Sequence, residues 1–352
     1  MFDPGGLAEP IVQAPLAGGP STPALAAAVC EAGGLGFLAA GYKTADAVGE
    51  EIEALRGSTS RPFGVNLFVP PRGGTDEAAV RAYRERLAGE AEHQGAELGD
   101  PRSDDDDWER KVELLLRDRP AVGSFTFGLP DASVIEALRA NGIAAWITVT
   151  NDDEAVQARE AGADGLVVQG VEAGGHRGGF GDDPEESGWG LLALLRVVAG
   201  RTSLPMIAAG GIADGAAVAA VLCAGAAAAQ VGTALMLAPE AGTAQAQREL
   251  LAKPAPTRLT RAFTGRTARG IVNRFLTEHS GRAPAAYPEI HHVTSALRAA
   301  ARQRGDPDAI NLWAGQAHEL AQELPAAEIV RQLGAEARAV LATVGQRLGP
   351  PG

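Results

Sequence analysis

Apolar residues recur along the chain in short unbroken runs, set between longer stretches that repeat with a helical period. The runs are Ile11–Ala17, Gly36–Ala40, Phe63–Phe68, Ala121–Phe127, Ala145–Thr150, Gly165–Gln169, Pro205–Ala209 and Ala228–Leu237. A strand with one wet face alternates apolar and polar positions, whereas a strand covered on both faces reads as a continuous apolar run, the mark of a parallel sheet. Helix signals stand between the runs. Ser21-Thr22-Pro23 and Asn151-Asp152-Asp153-Glu154 are N-terminal caps with Pro or carboxylates in the first turn. Ala161-Gly162-Ala163-Asp164-Gly165 and Cys223-Ala224-Gly225-Ala226 supply the glycines that turn a helix back into a strand. Eight strands alternating with helices predict an α/β protein, a (β/α)8 barrel. A doubly wound open sheet fits less well, because Gly18-Gly19-Pro20-Ser21-Thr22 after the first run lacks the dinucleotide-binding glycine spacing.

Two interruptions break the rhythm. Residues Pro70–Arg119 hold a charged helix and the acidic run Asp104–Asp107, which reads as a solvated loop without ordered metal-ligand spacing. Lys253-Pro254-Ala255-Pro256 opens the second, with helical patterns around Ala296–Arg304 and Ile310–Glu323. The expected organisation is a barrel over residues 1–252, a smaller, mostly helical cap over 253–325, and a C-terminal helix within 326–352 that returns to the barrel.

Composition narrows the function classes. The chain has 352 residues, 31 Lys+Arg against 44 Asp+Glu, and a formal charge of −13. That charge repels a nucleic-acid backbone or an anionic membrane, and no basic patch offsets it. The two cysteines, Cys30 and Cys223, exclude a disulfide framework or a Cys-based metal site; both read as small buried hydrophobes. Gly215–Pro239 carries no charge and is long enough to cross a bilayer. Its Ala/Gly composition, Gln230 and the lack of a basic flank instead predict a buried helix followed by a buried strand. No secretion signal is legible, so a cytoplasmic protein is expected.

Chemistry in such a barrel sits at the C-terminal ends of the strands, and loops after the last two often hold a phosphate. The seventh run ends in Ala209-Gly210-Gly211-Ile212 and the eighth contains Gln230-Val231-Gly232-Thr233. Glycines admit an anion close to backbone N–H groups, and Thr233 adds a hydroxyl. After the sixth run, Gln169-Gly170-Val171-Glu172-Ala173-Gly174-Gly175-His176-Arg177-Gly178-Gly179 places a single histidine and an arginine in a long glycine-rich loop at the catalytic end, a natural lid or clamp. His93, His279, His291, His292 and His318 lie in helical or cap segments and read as surface or packing residues, with no metal site expected.

These motifs, together with Gln13-Ala14-Pro15-Leu16-Ala17-Gly18-Gly19, Ala32-Gly33-Gly34-Leu35-Gly36-Phe37, Gly64-Val65-Asn66-Leu67-Phe68, Phe263-Thr264-Gly265-Arg266 and Asn273-Arg274-Phe275, resemble the nitronate monooxygenases, formerly called 2-nitropropane dioxygenases. Leu16 departs from the methionine expected after that proline. The resemblance implies an FMN-dependent barrel that oxidises alkyl nitronates such as propionate 3-nitronate with O2, giving a carbonyl product and nitrite or nitrate. It implies that Asn66, Gln169, Gly174, Gly175, Gly210, Gly211, Gln230, Val231, Gly232 and Thr233 bind FMN. It further implies that Ala14, Pro15, Leu16 and Ala17 line the flavin ring and that His176 is the catalytic residue beside the substrate. The partners are then a small molecule and O2, with room for a homo-oligomer. Two other readings stay open: an FMN-dependent enoyl-thioester reductase, which would consume NADH, and a flavin-free barrel that binds a phosphorylated metabolite.

Overall fold

The computed structural model describes residues 1–71, 73–182 and 188–349. Eight parallel strands form the barrel: β1 (Ile11–Gln13), β2 (Gly36–Ala39), β3 (Phe63–Phe68), β4 (Val122–Thr126), β5 (Ala144–Val149), β6 (Gly165–Gln169), β8 (Met206–Ala209) and β9 (Ala228–Val231). Gln13 N–H donates to Leu35 O at 2.9 Å and Leu35 N–H to Ile11 O at 3.0 Å, which brings the two sheet edges together. Each strand overlaps one of the eight apolar runs, and the fold is the (β/α)8 barrel.

The continuous runs resolve into two faces of opposite duty. Along β1, Ile11 points to the helices and Val12 into the barrel; along β5, Ala145 and Ile147 point out while Ala144 and Trp146 point in. Phe2, Phe37 and Trp146 fill the barrel interior, with ring centroids 6.1 and 6.0 Å from the indole. Trp146 is fully buried. Trp146→Ala is therefore expected to destabilise the fold by about 3–5 kcal/mol, the usual effect of emptying a large aromatic site, read as a lower urea midpoint.

Helix α1 (Pro23–Glu31) is capped by Thr22, whose Oγ1 accepts from Leu25 N–H at 3.0 Å. Helix α2 spans Ala45–Ser58. Helices α3 (Glu77–Arg86) and α4 (Ala88–Gln94) belong to the first interruption, followed by α5 (Trp108–Asp118) and α6 (Ala132–Ala140). Asn151 caps α7 (Asp152–Glu160) and Asp214 caps α9 (Gly215–Cys223), with α8 at Leu191–Ala199 between them. Gly162 and Gly225 take φ of +89° and +103° in the turns that lead back to strands. The uncharged stretch 215–239 is thus α9, β9 and a 3-10 turn over Thr233–Leu235, and no helix among the described residues is long and apolar enough to cross a membrane.

Two expected strands end early. The first stops at Gln13, because Pro15 and the positive-φ glycines Gly18 and Gly19 turn the chain across the barrel mouth. The last stops at Val231; the apolar residues beyond it fold into the 3-10 turn, and Met236 and Leu237 pack beneath the second hydrophobic cluster. Cys223 is exposed at the end of α9, whereas Cys30 is buried.

That second cluster joins α10 (Gln245–Leu251), α11 (Arg274–His279) and α12 (Glu289–Arg304) with Val80, Tyr83, Leu87 and Ala91 of α3 and its continuation. Tyr83 donates to Ala262 O at 2.8 Å. A three-stranded sheet of β10 (Thr257–Thr260), β11 (Ala268–Ile271) and β7 (Gly175–His176) stitches it to the barrel loops. No α-helix forms over the expected 310–323 stretch, where a 3-10 turn at His318–Leu320 stands instead. Helix α13 (Ala326–Arg347) packs on α9 and α1, and Glu336 accepts the N-terminal Gly215 N–H of α9 at 3.1 Å. Residues 350–352 of the expected C-terminal unit lie outside the described residues.

The acidic run is not a solvated loop. Asp106 accepts from Tyr42 N–H at 2.9 Å and pairs with the buried Lys111 at 2.8 Å, while Asp107 accepts from Ala45 N–H at 2.8 Å. The run thereby fixes the turn after β2 and, with it, the ring of Tyr42.

Candidate active site

A cavity of about 480 Å³ opens at the C-terminal ends of the barrel strands, between them and residues of α12 and of the 311–318 segment. Its size is that of a small-molecule or cofactor site. The strands deliver polar tips where their apolar runs end. Asn66 Nδ2 donates to Ser124 Oγ at 2.9 Å and Thr126 Oγ1 at 3.0 Å, and Gln13 Nε2 donates to Phe37 O at 3.0 Å beneath the floor. Ala14, Pro15, Leu16 and Ala17 cross the mouth from β1 and line the cavity, as do Asn66, Gln169, Gly174, Gly175 and His176.

Gly210, Gly211, Gly232 and Thr233 form a second wall. Gly210 and Gly211 adopt φ of +121° and +67°, and a Cβ on Gly211 would stand 3.0 Å from Glu172 Cβ. Such backbone favours glycine and lets a ligand approach the main chain closely. Thr233 Oγ1 accepts Gly315 N–H at 3.0 Å, so its own proton is free for a ligand. Gln230 lines the cavity and its buried Oε1 has no hydrogen-bond partner among the described residues. A buried acceptor without a donor is costly, and a polyhydroxylated ligand supplies one. Val231 differs from its neighbours: its side chain packs among the barrel helices, and its carbonyl accepts Ala14 N–H at 2.8 Å.

The glycine-rich histidine loop is tied down by the strands around it. Gly175 and His176 pair with Arg269 and Ala268 of β11. Gln169 spends its amide on this loop, with Nε2 donating to His176 O at 3.0 Å and Oε1 accepting Gly178 N–H at 2.9 Å. Arg266 donates to Arg177 O at 3.0 Å and to Gly179 O, with its guanidinium 4.2 Å from the Phe127 ring centre. His176 Nε2 lies 2.9 Å from Thr264 Oγ1, and Nδ1 has no protein hydrogen-bond partner among the described residues. Phe127, Tyr287 and Trp313 surround the imidazole, their centroids 5.6, 5.9 and 5.5 Å away. Burial, then the positive charges of Arg266 and Arg298, lower the His176 pKa to about 3. The ring is neutral at physiological pH.

Several site residues are not singled out by the sequence reading. His291 stacks on Tyr42 at 4.2 Å and 3°, and lines the cavity with Ser295, Arg298, Arg302 and Asn311. Positions 291, 295, 298 and 302 recur at helical spacing, so one face of α12 carries them all, a signal present in the sequence. His318 also lines the cavity, its ring nitrogens 2.7 and 3.0 Å from the carbonyls of Leu251 and Ala255. Away from the cavity, Glu90, Glu278 and His279 gather closely, and Arg274 pairs with both carboxylates.

A parallel barrel whose strand ends carry a glycine-rich wall and a neutral, buried histidine around one cavity has the layout of a small-molecule enzyme. The nitronate monooxygenase family model matches residues 6–336. The chain is 43% identical to a nitronate monooxygenase of Pseudomonas aeruginosa over 95% of this chain and 97% of that one. It is 36% identical to a probable nitronate monooxygenase of Bacillus subtilis, covering 93% and 95%. Among solved structures, a nitroalkane oxidase from Streptomyces ansochromogenes is similar with a TM-score of 0.94 and 52% identity, covering 96% and 98%. FabK from Thermotoga maritima follows at 0.74 and 26%, covering 97% and 96%. The chain belongs to the nitronate monooxygenase family and is a flavin-dependent oxidoreductase.

Proposed function

We propose that the chain oxidises alkyl nitronates with FMN and O2, propionate 3-nitronate among them, to a carbonyl product and nitrite or nitrate. The observation that carries the reading is a neutral His176 held under positive charge in the same cavity as the glycine cradle. Burial is the main reason the imidazole stays uncharged; the buried guanidinium of Arg266, which adds to it, also favours an anion nearby, and a nitronate is such an anion. Gly210, Gly211, Gly232 and Thr233 would hold the FMN phosphate, Asn66, Gly174, Gly175 and Gln230 the remainder of the cofactor, and Ala14–Ala17 the underside of its ring. When bound, the flavin supplies the electron acceptor. Residues 253–325 close the site over the barrel of residues 1–252.

Thr264 occupies Nε2 of His176, so Nδ1 is the nitrogen left for the substrate. With its proton on Nδ1, the imidazole donates to a nitronate oxygen and orients the carbon toward the cofactor. The aromatic wall of Phe127, Tyr287 and Trp313 keeps water from that hydrogen bond, which strengthens it.

The purified protein is expected to be yellow, to release FMN on denaturation, and to consume O2 with propionate 3-nitronate. A colourless protein that takes up no FMN would overturn the reading. So would NADH oxidation by an enoyl thioester with no nitronate turnover. The similarity to a solved nitroalkane oxidase motivates a second reading, in which neutral nitroalkanes are also substrates; the same oxygen assay with freshly dissolved nitroethane tests it.

A further inference from the structure

The chain has 44 acidic residues against 31 basic ones, yet no Asp or Glu lines the cavity among the described residues, while Arg298 and Arg302 do. Arg298 is only 5% exposed. Its Nε donates to Thr294 Oγ1 at 3.0 Å, its Nη1 to Asn311 Oδ1 at 3.2 Å, and its Nη2 to His291 Nδ1 at 3.3 Å and His291 O at 3.1 Å. Every one of these acceptors is neutral. Arg302 Nη2 donates to the same Asn311 oxygen at 2.6 Å. Among the described residues no carboxylate lies within ion-pair distance of either guanidinium.

Taking a guanidinium out of water without a counter-charge is unfavourable, and setting a second cation beside it adds repulsion. Burial and then Arg302 push the Arg298 pKa down to about 10. The arrangement is rigid despite this: four of the five N–H groups of a guanidinium are committed, and one on Nη1 remains. A preorganised cationic fork facing a cavity without acidic groups is complementary to an anion brought by the ligand. The cofactor phosphate is assigned above to the loops that follow β8 and β9. The nitronate group belongs beside His176, where the α12 guanidinium is felt as a neighbouring charge rather than as a contact.

We propose that Arg298, Arg302 and Asn311 form a subsite for a carboxylate at the far end of the nitronate, and that this subsite sets a preference for carboxylated over plain alkyl nitronates. The proposal rests on the nitronate-oxidising function proposed above. It assigns to α12 the role of measuring the substrate from the nitro carbon to its second charge.

The test compares propionate 3-nitronate with propyl-1-nitronate in the FMN-loaded wild type, Arg298→Gln and Arg302→Gln. A hydrogen bond between charged groups contributes about 1.5–3 kcal/mol. The ratio of kcat/KM for the carboxylated over the alkyl substrate is therefore expected to fall about tenfold to 150-fold in R298Q, chiefly through KM. Arg302 is exposed on one side, so R302Q should move the ratio in the same direction by less, and it serves where R298Q fails to fold. A second readout is independent of turnover: succinate should raise the melting temperature of the wild type and not of R298Q. Equal losses on both substrates would assign Arg298 to the nitro group and overturn the subsite. Loss of FMN from a folded R298Q would assign it to the phosphate and overturn the subsite as well. If no nitronate reacts but succinate still binds through Arg298, the reaction assignment fails and the carboxylate subsite stands.

Discussion

Replacing Gly211 by valine is expected to give a folded protein that no longer retains flavin. The residue sits at φ +67°, and a Cβ there would stand 3.0 Å from Glu172 Cβ. A β-branched side chain in this region is strained by at least about 1–2 kcal/mol, and the strain is relieved by rotating the peptide. That rotation would withdraw the backbone N–H groups proposed above to hold the phosphate. Hydrogen bonds to a charged group are each worth about 1.5–3 kcal/mol, so losing one or two weakens FMN by about tenfold to more than a thousandfold. Titrating apoprotein with FMN and following fluorescence quenching measures this directly. Gly74, where an added Cβ meets nothing within 4 Å, supplies the control; Gly74→Ala should bind FMN as the wild type does. Undiminished occupancy in Gly211→Val would remove the phosphate from this loop.

The barrel was legible because its strands are covered on both faces, so hydropathy alone marked all eight. Their ends were less legible for the same reason. Beyond Gln13 and Val231 the chain stays apolar, although Pro15 and the 3-10 turn at Thr233–Leu235 take it out of the sheet to pack under the second cluster. Hydropathy reports burial, not the partner that provides it. The same distinction separates the halves of the site. Gly210, Gly211, His176 and Thr233 stand out because glycines crowd the short loops that carry them. Tyr42, His291 and Arg298 meet only after α12 docks on the turn after β2, a turn held by Asp106 and Lys111. An acidic run that looks like a solvated loop is, in three dimensions, the bracket for one wall of the cavity. The unbalanced charge of Arg298 is likewise invisible in a chain of net charge −13; it exists only where the fold leaves acidic side chains out.

His176→Ala is expected to separate two roles of the imidazole. If His176 orients a pre-formed nitronate, losing its hydrogen bond removes about 1–3 kcal/mol of transition-state binding, about fivefold to 150-fold in kcat/KM. If it were the base for neutral nitroalkanes, their turnover would fall by about a hundredfold or more while nitronate turnover fell far less. The site's electrostatics favour orientation. Burial and the charges of Arg266 and Arg298 hold the His176 pKa at about 3, which makes it a weak proton acceptor. The nearest carboxylate influence, Asp182, is engaged with Arg261 at 2.8 Å. The pH dependence follows with a definite sign. The unfolded imidazole takes up a proton near pH 6.5 and the folded one only at about pH 3, so stability declines as pH falls through that window and is complete above it. Activity on a pre-formed nitronate should show no inflection near pH 6.5 that disappears in His176→Ala. Stopped-flow reduction of the enzyme by nitronate and by the matching nitroalkane, for wild type and variant from about pH 5.5 to about pH 8 (roughly one unit either side of an ordinary histidine), distinguishes the roles. A wild-type inflection near 6.5, abolished by the substitution and confined to the neutral substrate, would make His176 the base.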